Sequence, residues 1–227
     1  EYNIEEFQNY IQFQNKSLQL IRENLAKDKS LIGFVGGPIT LYHFAIRSNP
    51  IADNLFTSAI PVLEEILYKN IEIQFQSEID LLMIFDTEAN NLSDEDFIKF
   101  SLPFIEQVAN KYPNQIGYFT KNISPKKFQE LKKISPLKLT VLGTQHHLFQ
   151  ELSQTHLSLQ GNFSNDLLTI SDQDDFKAAL DEYVSHCQNF NSKERTGWIA
   201  SLDHGVNKMT PETNVHLFIE YIRTKIT

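Results

Sequence analysis

The sequence predicts an α/β fold whose parallel strands close into a TIM-type (β/α)8 barrel, on three observations. Short apolar runs recur along the 227 residues: SLIGFVGG (30–37), IDLLMIFDT (79–87), NQIGYFTK (114–121), LKLTVLGT (137–144), HLSLQGN (156–162) and GWIASLDHG (197–205). Between them lie stretches with apolar residues at helical spacing, the order that gives a parallel sheet with helices outside it. Polar or small residues gather where the runs end, which is where barrels place their functional groups.

The elements follow in order. A long polar helix, roughly IEEFQNYIQFQNKSLQLIRENL, opens the chain. The apolar runs have little polar alternation and read as strands buried on both faces. Pro38 after Gly37 marks a helix start, since proline suits a first helical position. GFVGGPIT lacks the G-x-G-x-x-G spacing of a dinucleotide fold. That leaves Gly36-Gly37 as a tight turn or as backbone N–H groups holding a phosphate. Ile60, Val62, Leu63, Ile66 and Leu67 mark one helix, Phe97, Phe100, Phe104, Ile105 and Val108 a second, and Phe176, Ala179, Leu180 and Val184 a third. The lead-ins LSDEDF and SDQDDF supply N-caps and acidic first turns to the last two. Thr210-Pro211 opens the final helix.

Composition bounds the function. A formal charge of −9 and four arginines (Arg22, Arg47, Arg195, Arg223) argue against a nucleic-acid surface or an anionic membrane partner. Cys187 is the only cysteine, so the chain forms no internal disulfide and no zinc site of two or more thiolates. This fits a reducing compartment. No run reaches the length of a membrane span, no basic-then-apolar leader is present, and 227 residues read as one domain. The 17 phenylalanines fall mostly at core-facing positions and report packing.

The polar strand ends are Asp86-Thr87-Glu88, Thr120-Lys121-Asn122, Thr144-Gln145, Gln160-Gly161-Asn162 and Asp203-His204-Gly205. His204 reads either as a site residue or as a cap that bonds the local turn.

Several blocks, SLIGFVGGPITLYHF, LLMIFDTEANNLSDEDFIKFSLPFI, LSLQGNFSNDLLTIS and IASLDHGVNKMTPETNVHLFIEYI, resemble successive blocks of the uroporphyrinogen decarboxylase family. The resemblance implies a cytoplasmic (β/α)8 barrel, a homodimer without cofactor or metal. It implies removal of the four acetate carboxyl groups of uroporphyrinogen III to give coproporphyrinogen III. It assigns His204 to a substrate carboxylate, Phe85 to an apolar wall for the macrocycle, and Thr87 to the hydroxyl position beside it. The family's tyrosine falls on Phe44, so a phenolic hydroxyl is missing there, and Tyr42 lies two residues earlier. His204, Thr87 and Phe85 are expected to gather around the tetrapyrrole.

The chain also departs from that pattern. Six strands are visible where a closed barrel has eight, and the missing pair would precede SLIGF. In the family that segment holds an arginine-bearing block and a strand-end aspartate, so no catalytic residue is assignable. The segment after LYHFAI is short as well. An incomplete barrel leaves two strand edges for a partner to cover, and absent preceding residues are the favoured explanation. A diverged, non-catalytic relative or partner subunit is the alternative. A corrinoid-linked methyltransferase of the same superfamily is a second, although His186 and Cys187 are adjacent on a helix and diverge by roughly 100°. His146-His147 reads as a loop or helix start, and His43 as a rim residue.

Overall fold

Asn3 caps the first helix with its side-chain carbonyl, which accepts from the N–H groups of Glu5 and Glu6 at 3.0 and 3.2 Å. In the computed structural model the described residues are 3–47 and 55–226. The short connection after LYHFAI falls on residues 48–54 and lies outside them, as does the Arg47 side chain. The chain divides into two compact units, one running to Thr120 and taking in Lys126–Lys138, the other Lys121–Pro125 with Leu139 onward.

The first unit holds α1 (Ile4–Asn24), β1 (Ile32–Gly36), α2 (Pro38–Arg47), α3 (Phe56–Phe75) and β2 (Leu81–Phe85). A 3-10 turn (Thr87–Asn91), α4 (Asp94–Asp96), a wide turn (Phe97–Ser101), α5 (Leu102–Lys111), β3 (Ile116–Phe119) and α6 (Pro125–Leu131) follow. β1 pairs with β2 in parallel from Ile32 opposite Leu81 to Gly36 opposite Phe85, and β2 with β3 from Leu82 opposite Ile116 to Phe85 opposite Phe119. Pro38 is the first residue of α2, as its fixed φ predicts. Ser93 accepts from the Asp96 N–H at 3.0 Å, so the LSDEDF cap forms as read. Ile39, Leu82, Ile84, Phe97, Phe104, Ile105, Ile116 and Phe128 are buried between the sheet and the helices, each contributing about 1.5–3 kcal/mol of apolar burial.

The second unit holds β4 (Leu139–Val141), α7 (Leu148–Leu152), β5 (Ser158–Phe163), α8 (Gln173–Gln188), β6 (Trp198–Leu202) and α9 (Glu212–Lys225). β4 pairs with β5, and β5 with β6, both in parallel. Asp172 caps α8 through the N–H groups of Asp174 and Asp175. Phe163, Leu168, Phe176, Leu180 and Phe218 form the core under α8 and α9. Asn214, fully buried, ties α9 to the connection before α8 by donating to the Leu168 and Ile170 carbonyls at 2.9 and 2.8 Å. The final helix starts at Glu212, and the Thr210 hydroxyl is buried without a partner among the described residues, so it does not cap α9 as a Thr-Pro start suggests.

Burial on both strand faces holds for β3 and β4, where every residue is buried. It fails for β1, where Ile32 and Phe34 are 52% and 67% exposed while Gly33 and Val35 are covered. β1 pairs only with β2 among the described residues. Its outer edge is nonetheless not bare. Gln74, from the last turn of α3, accepts from the Phe34 N–H at 3.0 Å and donates to the Phe34 carbonyl at 2.9 Å. Gln74 thereby meets the outward backbone groups of one residue of β1, Phe34.

Candidate functional site

Phe85 ends β2 with its ring 40% exposed. It meets Phe34 of β1 and Phe119 of β3 edge-on, with centroids 6.1 and 5.9 Å apart. Side chains in register across parallel strands share a face, so Phe85 and Phe119, which pair directly, build an apolar wall on which Phe34 continues. Aromatic rings of this kind suit the face of a flat or domed macrocycle.

The next residue points elsewhere. Asp86 is fully buried, and its Oδ1 accepts from the Thr40 N–H at 2.8 Å in the first turn of α2. The Ile39 N–H and the Tyr118 hydroxyl also stabilise the charge, yet burial outweighs them and pushes the carboxyl up to about 6. Oδ2 has no well-aligned donor among the described residues. Gly37 allows the approach, because a Cβ there would lie 2.2 Å from the Asp86 Cγ. The start of α2 is thus capped from the neighbouring strand through the Thr40 N–H, and the phosphate reading of Gly36-Gly37 is corrected at Gly37, whose N–H donates to the Phe85 carbonyl at 2.7 Å. GGP followed by a helix with no local Ser, Thr, Asp or Asn cap was the signal for a distant cap.

Thr87 opens the turn after Asp86 and is half-buried. The Glu88 N–H donates to the Thr40 hydroxyl at 3.0 Å, which pins the turn to α2. Its far end is clasped by Lys127 of α6, whose ammonium donates to the carbonyls of Ala89, Asn90 and Leu92 at 3.3, 2.9 and 2.7 Å. Burial lowers the Lys127 pKa. Phe44 lies on α2 and is 58% exposed. Tyr42 is buried, edge-on to Phe56 at 4.9 Å, so it does not replace the phenol missing at Phe44. His43 is half-buried with its ring edge-on to Tyr42 at 5.8 Å.

In the second unit His204 is half-buried in the bend after β6. Asp203 Oδ1 accepts from the Asn165 N–H at 2.8 Å, and the Asn165 amide donates to the Gly205 carbonyl at 2.9 Å. The connection after β5 therefore holds the triplet through the residues on either side of the histidine. Asn162 donates to the Gly143 and His146 carbonyls at 3.3 and 3.0 Å, and the His146 ring nitrogen sits 2.8 Å from the Ile123 carbonyl. His146 is thereby a buried loop anchor, while His147 precedes α7 and is exposed. Cys187 is buried, His186 beside it is exposed, and burial pushes the thiol up to about 11. Among the described residues no three His, Cys, Asp or Glu side chains come together as a metal-ligand set, so the residues around Cys187 do not fit a thiolate zinc centre.

The Uroporphyrinogen decarboxylase (URO-D) family model matches residues 2–225. The chain belongs to the uroporphyrinogen decarboxylase family. It is 25% identical to "Uroporphyrinogen decarboxylase" of Neorickettsia sennetsu over 92% of this chain and 66% of that protein. It is 27% identical to the protein of the same name in Campylobacter concisus, over 92% and 64%. Among solved structures it resembles a methyltransferase from Methanosarcina mazei, with TM-score 0.70 and 16% identity over 91% of this chain and 62% of that one. The uroporphyrinogen decarboxylase relatives are longer, and the chain spans about two thirds of their length or less. Family and structural likeness together carry the barrel-type α/β class expected from the strand rhythm. No helix among the described residues is long and apolar enough to cross a membrane.

Proposed function

We propose that this chain binds a uroporphyrinogen-type tetrapyrrole, without a cofactor or metal, as a homodimer, and serves the decarboxylation of its acetate side chains. The exposed Phe85 ring, set on Phe119 and Phe34 at the strand ends of a chain matched by the family over residues 2–225, carries this reading. Phe85 and Phe44 supply apolar surface and Thr87 a hydroxyl for a substrate carboxylate, while the family resemblance assigns His204 to a carboxylate.

Decarboxylation of a pyrrole acetate needs more than these groups. Protonating the ring carbon develops positive charge on the pyrrole, which a fixed carboxylate facing the ring nitrogens stabilises. Loss of carbon dioxide then returns the electrons to the ring, while planar bidentate arginines hold the remaining carboxylates. None of the strand ends carries an arginine. Asp86 cannot serve as the ring-facing anion, because it is fully buried on the first turn of α2. Binding without appreciable turnover by these 227 residues alone is the expected behaviour. Anaerobic calorimetric titration with uroporphyrinogen, followed by chromatography of the products, tests both halves. Absence of binding removes the tetrapyrrole reading, and multiple turnovers to coproporphyrinogen remove the second half.

A further inference from the structure

We propose that the connection between β6 and α9 carries a carboxylate-binding site in which the Gly205 N–H and the Lys208 ammonium are the donors and Asn165 is the positioning residue. Resting on the tetrapyrrole reading, the site takes one acetate carboxylate of that macrocycle. The segment 203–210 leaves the sheet where the Asp203 N–H donates to the Phe163 carbonyl at 2.9 Å. Beyond that bond Asn165 takes over. Its amide donates to the Gly205 carbonyl at 2.9 Å, and its own N–H donates to Asp203 Oδ1 at 2.8 Å. Asp203 is the one acid of the segment. The residue that holds the bend therefore also draws an oxygen of the competing carboxylate toward the connection after β5.

Nothing in the fold requires a glycine at 205. A Cβ there meets no atom within 4 Å, and its φ lies outside the left-handed region, whereas a Cβ on Gly37 collides with Asp86. The Gly205 N–H has no acceptor among the described residues. A bare Cα beside an unclaimed donor lets a ligand come close to the backbone. Asn207 then turns the chain: its Oδ1 accepts from the Met209 N–H at 3.1 Å and its carbonyl from the Thr210 N–H at 3.0 Å, which sets Lys208 and Met209 at the tip. Lys208 is exposed and has no ion pair among the described residues. Three residues of chain span at most about 11 Å, a gap that a carboxylate and a flexible four-carbon stem bridge together. Val206 and Met209, 56% and 79% exposed, offer apolar surface to the ring that bears the acid.

Acetate probes the site without the macrocycle. In proton–nitrogen correlation spectra at constant ionic strength, replacing chloride by acetate is expected to move the Gly205 amide downfield, and Lys208→Met is expected to remove most of that shift. A Gly205 amide that responds alike to both anions overturns the proposal. An acetate response in a protein that binds no porphyrin removes the tetrapyrrole reading and supports the carboxylate site. Lys208→Met is expected to bind uroporphyrin roughly 5-fold more weakly, the worth of one exposed polar contact, and its octamethyl ester as before. Equal losses for acid and ester, or none, overturn the role of Lys208. Gly205→Ala is expected to melt no lower than its parent, since nothing opposes the methyl, yet to lose roughly 5-fold in uroporphyrin affinity; unchanged affinity counts against approach at Gly205. Asn165→Ala is expected to weaken the acid and not the ester, and to cost less in the Lys208→Met background than alone. Full additivity of the two changes overturns the positioning role.

Discussion

The Asp86 carboxylate rests 2.8 Å from the Thr40 N–H, so a strand end supplies the cap of the helix that begins one strand away. Burial raises its pKa from 3.8 to about 6. The folded state thus holds this proton more tightly than the unfolded chain. The contribution to stability is full below about pH 4 and is lost as pH rises through 6. Asp86→Asn keeps an acceptor for Thr40 and has nothing to titrate. Urea unfolding from pH 4 to 7 should show the parent losing roughly 2 kcal/mol relative to the variant across that window; parallel curves would falsify the assignment.

Gly37→Ala forces a methyl into the Asp86 carboxylate, 2.2 Å from Cγ, where neither backbone nor acid can retreat. We expect a loss of about 2–4 kcal/mol. Gly36→Ala meets only the flexible end of Leu41 at 3.0 Å and should cost clearly less. Thermal melts of the two variants side by side check the order.

Phe85→Ala is predicted to weaken tetrapyrrole binding roughly 10-fold while changing stability by less than about 1.5 kcal/mol, because much of the ring is already in water. A variant that melts like its parent and binds equally well would remove Phe85 from the site.

Lys127→Met preserves the stem but strips three carbonyls of their donor. The expected cost is about 2 kcal/mol, with faster proteolysis in the turn after β2 than elsewhere. Uniform loosening along the chain would contradict a local clasp.

His204→Ala should reduce affinity for free uroporphyrin by roughly 5-fold, the worth of one polar contact, and leave affinity for its octamethyl ester unchanged. Equal losses for both ligands would show that the imidazole acts through shape and not through a carboxylate.

All six strands were legible as apolar runs, because parallel strands with helices around them have little need for polar alternation. β1 is the exception in burial: its apolar run looks like a central strand, and nothing local in Ile32 or Phe34 says that both side chains are exposed. Gln74 was not readable as a bridge, since its partners lie 40 residues away and its own surroundings in α3 are ordinary helix. Asp86 was noticed as a strand-end acid but not as a cap, because its direction depends on Gly37 and the start of α2. Nothing in the sequence around Lys127 marks it as a clasp, because the three carbonyls it holds lie 35 to 38 residues earlier in the chain. Phe44, Phe85, Thr87 and His204 could be named from block resemblance alone, whereas the exposure of each ring or hydroxyl follows only from packing.

The inward cap on α2 also turns the helix dipole onto the protein's own interior. A helix start left open would offer its dipole to any passing nucleotide or sugar phosphate. Here the protein's own acid has taken that place at the Thr40 N–H, so the positive end of α2 is met by an internal carboxylate.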